Sequence, residues 1–366
     1  MWLLLLVALC LSQGLGSAIP TEEEFHNPER FMNISQKIRF QGYPSEEYEV
    51  TTEDGYILSL NRIPHGRNAP RTPVLIVHGF CLDGGDWVDN LPDNSLAFIL
   101  ADAGYDVWIG NNRGNSWSRG HLDLSVHEEA FWDFSFHEMA IYDLPAMVGF
   151  IIMQTEQERL FYIGHAQGSS LGFIAFSSLP HLGEKIKLFF ALAPGYTLSH
   201  VRSPVLKALL LPDAVLKLKF GTKELSLVSR KDRASRAEKC IRFPVEEICE
   251  NEIFLIGGYN RKNLNMTAKS GHFRQFDYGF LKNQEKYNQS TPPFYRIEDM
   301  TVPVAVWSGG EDWVNTPKET QQLLRRLTNV IQHKQLHDWN HFDPHWGQDA
   351  PQRLYSQILF LMGQHS

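Results

Sequence analysis

Residues Gly164-His165-Ala166-Gln167-Gly168 have the spacing of a nucleophile elbow, the sharp strand-to-helix turn that presents a catalytic side chain. Two glycines four positions apart let the backbone turn tightly, and the residue midway between them points into a cleft. An apolar run precedes the turn at 160–165, and a helical pattern follows it at 167–179. The central residue is Ala166, whose methyl group cannot attack a carbonyl. The sequence therefore predicts the turn without its nucleophile.

Two further residues follow in the chain order of a hydrolytic triad, in which the acid and then the histidine come after the nucleophile. We expect Asp312 to accept a hydrogen bond from His341, and His341 to act as general base and then general acid. The backbone N–H groups of Phe80, which follows the apolar run 73–79, and of Gln167 would form the oxyanion hole. These four elements together carry the prediction, because a single aspartate or histidine in a loop is usually only solvated.

Other side chains offer weak substitutes for the nucleophile. Ser169 and Ser170 lie about one helical turn beyond the elbow, so we expect their hydroxyls to miss the apex. Cys81 lies near the oxyanion strand but has no base placed beside it. His78 and His165 are interpreted as packing residues behind the site. Since loss of a triad serine lowers kcat by ~10⁶, we expect hydrolysis to be impaired or absent.

The elements that must position these residues alternate between strand-like and helical patterns. Continuous apolar runs predict buried strands, and 134–155 and 167–179 predict helices; the runs are 73–79, 105–111, 160–165, 186–194 and 302–310. Such alternation predicts an α/β fold with a mostly parallel sheet and helices on both faces. Residues 46–63 add a β-hairpin that turns at Glu53-Asp54-Gly55.

The alternation of strand-like and helical patterns stops at residues 195–300, which contain several prolines and apolar stretches with helical spacing. We interpret 195–300 as a helical cap inserted between two parts of the core, 19–194 and 301–366. An independent C-terminal domain is disfavoured because strand-like sequence resumes at Val302. Cys240 and Cys249 could close a small disulfide loop in this cap or remain free thiols.

Residues 1–18 have the apolar run and small-residue cleavage site of a signal peptide, against the alternative of a buried N-terminal helix. The sequons at Asn33, Asn265 and Asn288 agree with a glycoprotein of the secretory pathway. Beyond this leader we expect no transmembrane segment, because no other stretch approaches ~20 apolar residues. The net charge of −8 and the lack of a basic run argue against a nucleic-acid partner, and we expect neither a cofactor nor a metal.

At this point the chain resembles the acid lipases, the family that includes gastric and lysosomal acid lipases. The similarity lies in 33–66, 95–119, 134–146, 287–293 and 347–355, and it covers nearly all of the mature chain. It implies an α/β-hydrolase fold, hydrolysis of triacylglycerols or cholesteryl esters at a lipid–water interface, and a Cys240–Cys249 disulfide. It also implies that Asp312 is the acid, His341 the histidine, Phe80 and Gln167 the oxyanion donors, and Ala166 the residue at the nucleophile position.

The chain departs from the family pattern in three places besides Ala166. Two serines replace the threonines after the elbow, Phe80-Cys81 replaces two leucines, and some twenty residues are missing between Met266 and Phe276. Three hypotheses follow: a lipid-binding pseudo-lipase, an active lipase or esterase with an unrecognised nucleophile, or a poorly folding paralogue.

Overall fold

The strands of this computed structural model form one sheet. The structure describes residues 28–64, 72–197, 199–204, 207, 274–275 and 279–365. In this part of the chain nine strands are present, namely β1 (Glu46–Thr51), β2 (Tyr56–Ile63), β3 (Pro73–Val77), β4 (Asp106–Gly110), β5 (Gly120–His121), β6 (Leu160–His165), β7 (Ile186–Leu192), β8 (Val304–Gly309) and β9 (Val330–Leu336).

The spatial order of the sheet is β1-β2-β4-β3-β6-β7-β8-β9, with β5 paired to β2. Strands β1 and β2 are antiparallel, as the predicted hairpin requires, and Gly55 in their turn has a positive φ of 93°. All pairs from β4 to β9 are parallel. The mostly parallel α/β-hydrolase sheet predicted from the sequence is therefore confirmed.

Helices cover both faces of the sheet because alternate side chains of the central strands point to opposite sides. In β3, for example, Leu75 and Val77 pack into one apolar core, and Val74 and Ile76 pack into the other. The helices of the described residues are Ile34–Phe40, Leu96–Asp102, Phe136–Glu138, Leu144–Thr155, Gln167–Ser178, Pro180–Gly183, Phe280–Tyr287, Pro317–Leu324, Asp343–Trp346 and Ser356–Gln364.

The expectation that no stretch beyond the leader approaches membrane-spanning length was wrong. A helical segment of 20 residues, Phe136–Thr155, is long and apolar enough to cross a membrane. Its composition follows from its place in the fold, since Leu144, Met147 and Ile151 are buried against the sheet. Length and apolar content alone do not separate such a core helix from a spanning one.

Most of the predicted cap, the leader at 1–18, and three of the predicted site residues lie outside the described residues. These three are Cys240, Cys249 and Asn265, so the disulfide and the second sequon remain predictions. Within 195–300, the described helix Phe280–Tyr287 ends at Asn288, whose side chain is exposed and accessible to a glycan. Asn33 caps the helix Ile34–Phe40, with its side-chain oxygen accepting from the N–H of Gln36 at 2.7 Å.

Candidate functional site

The turn between β6 and the following helix has the shape of a nucleophile elbow. Ala166 lies between them with φ 47° and ψ −110°, a conformation that a residue with a Cβ rarely adopts. The backbone around it fixes this conformation. The N–H of Ala166 donates to the Leu192 carbonyl at 3.0 Å, and its own carbonyl accepts from the N–H groups of Ser170 and Gly195, both at 3.2 Å.

Close backbone contacts explain why both outer positions of the elbow are glycine. A Cβ added to Gly164 would lie 2.5 Å from the carbonyl carbon of Gly168. A Cβ added to Gly168 would lie 2.4 Å from the carbonyl oxygen of Val77 in β3. Backbone atoms in a packed sheet cannot move away, so these contacts exclude larger residues. The glycine spacing seen in the sequence therefore has a steric cause.

The loops after β8 and β9 bring Asp312 and His341 into hydrogen-bond contact. Asp312 Oδ2 lies 2.8 Å from His341 Nδ1, and both side chains are buried. The other carboxylate oxygen, Oδ1, accepts from the N–H groups of Val314 and Asn315, each at 2.8 Å. The carboxylate is thus held from two sides. Because an ionised carboxylate can only accept, His341 Nδ1 carries a proton and Nε2 is directed away from Asp312.

Asn315 connects this pair to the neighbouring strand, a contact for which the sequence contains no signal. Its Nδ2 donates to the carbonyl of Ala193 at 2.6 Å and lies 3.5 Å from His341 Nδ1. Ala193 directly follows β7 and has a positive φ of 40°. Cys81, after β3, has a φ of 60°. Left-handed residues thus follow three adjacent strands, β3, β6 and β7, at the edge of the sheet that carries the site.

A small pocket joins the elbow, the histidine and the segment after β3. Its water-accessible volume is about 10 Å³, and it is lined by Gly79, Phe80, Leu82, His165, Ala166, His341 and Phe342. None of these lining residues has a hydroxyl or a thiol. Gln167 does not line the pocket with its side chain, but it begins the helix directly after Ala166. Asp312 lies behind His341, so three of the five predicted positions line the pocket and the other two adjoin it.

His78 holds the peptide that joins Gly79 to Phe80. Its Nδ1 lies 2.8 Å from the Gly79 carbonyl oxygen, and its Nε2 lies 3.3 Å from the N–H of Asn112 and 3.2 Å from Asn115 Nδ2. Since Nε2 receives these donors, Nδ1 is the protonated nitrogen and donates to Gly79. Fixing this carbonyl also fixes the opposite end of the same peptide plane, the N–H of Phe80. His78 is therefore a positioning residue rather than mere packing.

The His165 ring packs at an angle against the rings of His341 and His345. The His165 ring centroid lies 4.7 Å from that of His341 and 4.2 Å from that of His345. His165 Nε2 lies 2.7 Å from the His341 carbonyl oxygen and so donates to it. Burial lowers the pKa of His165 well below its usual range and lowers that of His345 to about 3. Both rings therefore stay neutral under mildly acidic conditions.

The alternative nucleophiles are bonded or unactivated. Ser169 Oγ donates to the Gly164 carbonyl at 2.5 Å, and Ser170 Oγ donates to the Gly195 carbonyl at 2.9 Å. Neither serine lines the pocket. Cys81 is exposed, and within the described residues its thiol has no histidine or carboxylate partner that would activate it. In the part of the chain described, no cluster of three or more His, Cys, Asp or Glu side chains is arranged to hold a metal ion.

Comparison with known proteins agrees with this geometry. Residues 72–348 match the family model described as "alpha/beta hydrolase fold", and residues 34–91 match a "partial alpha/beta-hydrolase lipase region". Lipase member M of Mus musculus is 47% identical over 99% of this chain and 93% of its own length. Human lysosomal acid lipase/cholesteryl ester hydrolase is 44% identical over 97% of this chain and 95% of its own. Mouse gastric triacylglycerol lipase is 43% identical over the full length of both chains.

Among solved structures, a putative lipase from Acinetobacter baumannii superposes with a TM-score of 0.54 at 14% identity, covering 91% of this chain and 96% of its own. An esterase from Pyrococcus furiosus superposes with a TM-score of 0.52 at 15% identity, covering 90% and 94%. At these identities the likeness concerns the fold.

Proposed function

The chain belongs to the acid lipase family of α/β-hydrolases, and we propose that it is a lipid-binding pseudo-lipase of the secretory pathway. In this proposal the pocket receives the acyl end of a lipid without hydrolysing it efficiently. One observation carries the proposal. Ala166 places a methyl group at the apex of an elbow whose other parts are in position.

The missing atom matters because ester hydrolysis in this fold begins with attack by a side-chain oxygen. A methyl group has neither a lone pair to attack nor a proton for His341 to remove. Loss of such a serine lowers kcat by ~10⁶, and the oxyanion hole and substrate binding leave only ~10³–10⁴ over water. That residual rate would rely on His341 activating a water molecule directly.

The remaining residues are proposed to keep the roles that their contacts suit. Asp312 would hold the tautomer of His341, whose Nε2 would face the lipid carbonyl. The N–H groups of Phe80 and Gln167 would bind the carbonyl oxygen, because within the described residues neither donates to another protein group. The apolar side chains of Leu82 and Phe342 would contact the first methylenes of the acyl chain.

The names of the relatives suggest the lipid class. They include a triacylglycerol lipase and a cholesteryl ester hydrolase, so we propose acyl esters of neutral lipids as the ligands encountered at a lipid–water interface. A gastric and a lysosomal relative also support a secreted or lysosomal location. The predicted leader and the exposed Asn288 sequon agree with this route.

The second candidate function is an active esterase, favoured by the intact Asp312–His341 contact. The two candidates are separated by treating the purified glycoprotein with a fluorophosphonate probe and assaying p-nitrophenyl esters from about pH 4 to about pH 8. A pseudo-lipase gives no covalent label and no turnover above a His341→Ala control. Labelling or turnover that His341→Ala abolishes would establish the active esterase instead.

A further inference from the structure

An exposed aromatic groove lies beside the sequon at Asn33. We propose that the two inner sugars of a glycan on Asn33 pack against Phe31 and Phe40 in this groove. The proposal concerns a surface separate from the pocket at Ala166 and does not depend on the function of that pocket. It makes a carbohydrate the occupant of an exposed apolar surface, so that the glycan becomes part of the folded structure.

The groove is formed by the segment that precedes the helix Ile34–Phe40 and by one face of that helix. Its volume is about 470 Å³, and it is lined by Phe31, Met32, Gln36, Arg39 and Phe40. This volume falls in the range of small-molecule binding sites, ~300–1,000 Å³. Phe31 and Phe40 are 66% and 54% exposed. Two aromatic side chains therefore present most of an apolar surface to one shallow groove.

The amide of Asn33 is oriented so that its nitrogen can carry a glycan. Its Oδ1 accepts from the N–H of Gln36 at 2.7 Å, and its own N–H donates to Gln36 Oε1 at 2.8 Å. This capping box holds the Asn33 side chain in place. Within the described residues Nδ2 makes no hydrogen bond. Glycosylation replaces only one hydrogen of Nδ2, so the cap and the glycan are compatible.

The attachment point lies next to the aromatic rings. Gln36 bonds to Asn33 and also lines the groove. Phe31 precedes Asn33 by two residues, and Met32 between them lines the groove as well. Since the first sugar is joined directly to Asn33 Nδ2, it begins beside the groove, and the second sugar extends from it. The covalent tether therefore gives the sugars a high effective concentration at the rings.

The groove has the chemistry that N-acetylglucosamine requires. One face of this sugar carries C–H groups, whose partially positive hydrogens pack on the negative face of an aromatic ring. Its edge carries hydroxyl and acetamido groups, which need hydrogen-bond partners. Arg39 supplies several guanidinium N–H groups at the groove, and among the described residues one of them donates to the Ser45 carbonyl at 3.1 Å. A carbohydrate thus matches both the rings and the guanidinium, whereas an acyl chain would match only the rings.

The serine of this sequon determines when the glycan is attached. Ser35 is fully buried, and its Oγ accepts from Ser45 Oγ at 2.8 Å and from Asn61 Nδ2 at 3.1 Å. The transferase must recognise this hydroxyl residue, so attachment precedes the packing of the helix against β2, which contains Asn61. The glycan is therefore already present when Phe31 and Phe40 form the groove.

The test measures how fast peptide-N-glycosidase releases each glycan from the folded glycoprotein, followed by glycopeptide mass spectrometry. This enzyme cuts the bond between asparagine and the first sugar, so packing in the groove protects that bond. We expect Phe31→Ser and Phe40→Ser to speed release at Asn33 about fivefold or more. Release at the exposed Asn288 is the internal reference and should stay constant. The matched control Phe360→Ser removes a ring that is 65% exposed and should change neither rate.

A thermal melt gives a second, independent measurement. Asn33→Asp removes the glycan but keeps a side-chain oxygen that caps the helix. We expect Phe31→Ser to lower the thermal midpoint by about 2 °C in the natural chain and to leave it unchanged in the Asn33→Asp chain. Glycans at the other two sequons are common to all four proteins, so their contributions cancel.

Three results would overturn the proposal: an Asn33 that carries no glycan, a release rate at Asn33 that Phe31→Ser and Phe40→Ser leave unchanged, or a loss of stability in Phe31→Ser that persists with Asn33→Asp. Protection that requires residues 19–27, or a dimer that Phe31→Ser dissociates, would assign the groove to another occupant and overturn it too. None of these results bears on the pseudo-lipase proposal, which fails on covalent labelling or ester turnover.

Discussion

The elbow and the Asp312–His341 pair meet in one pocket, yet they differ in what they retain. The pair keeps both its geometry and its functional groups, with 2.8 Å between Oδ2 and Nδ1. The elbow keeps only its geometry, since Ala166 holds a positive φ without an oxygen to present. The comparison shows that the shape of the elbow and the reactivity of the site have separate causes. Glycine sterics and backbone hydrogen bonds build the turn, whereas one side-chain oxygen would supply the chemistry.

The largest expected effect comes from restoring the missing atom. Ala166→Ser should raise ester hydrolysis by at least about 10³-fold, because the base and the oxyanion donors are already arranged around the new hydroxyl. Initial rates on p-nitrophenyl esters measure the gain, and Ala166→Ser combined with His341→Ala is the control. A variant that folds but gains no activity would show that the oxyanion segment or the cap is also impaired. The site would then have lost more than the hydroxyl at the elbow.

The next effect tests whether glycine sterics alone hold the elbow. Gly168→Ala should destabilise the protein by about 3–5 kcal/mol or prevent secretion, because its Cβ would lie 2.4 Å from a backbone oxygen. Gly149→Ala is the matched control, since a Cβ there meets nothing within 4 Å on the helix Leu144–Thr155. Secretion yield and chemical denaturation measure both. Similar values for the two variants would refute the steric explanation.

An intermediate effect concerns the histidines beside the pair. Burial lowers the pKa of His345 to about 3 from 6.5, so the unfolded chain takes up a proton below about pH 6.5 while the folded chain does not. His345 therefore costs stability as the pH falls from about 6.5 toward 3. Both ring nitrogens lack a partner among the described residues. His345→Phe should remove this loss. The difference in free energy of unfolding between this variant and the natural chain should therefore shift by about 2 kcal/mol in favour of the variant between neutral pH and about pH 5.

The measurement for His345→Phe is the free energy of unfolding at several pH values, compared with the natural chain and with the exposed-site variant His127→Phe. Parallel pH profiles for all three proteins would mean that His345 is not a source of acid sensitivity. A nearby carboxyl acts in the opposite sense, since burial raises the pKa of Asp343 to about 8. The contribution of Asp343 to the pH dependence cancels in the comparison, because all three proteins contain this residue.

The smallest effect concerns the strain kept at the apex. Ala166→Gly should stabilise the protein by up to about 1 kcal/mol, because glycine adopts a positive φ without a Cβ penalty. A shift of a few degrees in the thermal midpoint would measure it. A clear loss of stability would show that the Ala166 methyl contributes packing that outweighs the strain, and the elbow would then be adapted to alanine.

Much of this architecture was predictable because it depends on local patterns. The five buried strand runs contain β3, β4, β6, β7 and β8, and the ends of these strands differ from the predicted ones by at most two residues. The glycine spacing located the elbow, and its steric cause is local to the turn. The helix over 134–155 was predicted, but its membrane-like composition was not recognised, because an apolar helix in a core and one in a bilayer have similar compositions.

The sequence by itself determined the order of strands and helices, the elbow and the absence of a nucleophile at its apex, since each depends on residue type and spacing within a short segment. Only the tertiary structure decided which distant groups meet. The contacts of Asn315 with Ala193, of His345 with His165, and of His78 with Asn112 and Asn115 had no signal in the sequence. These residues lie at the ends of different strands or in the segments that follow them. The sheet brings them together at one edge, because the carboxyl ends of its parallel strands point the same way.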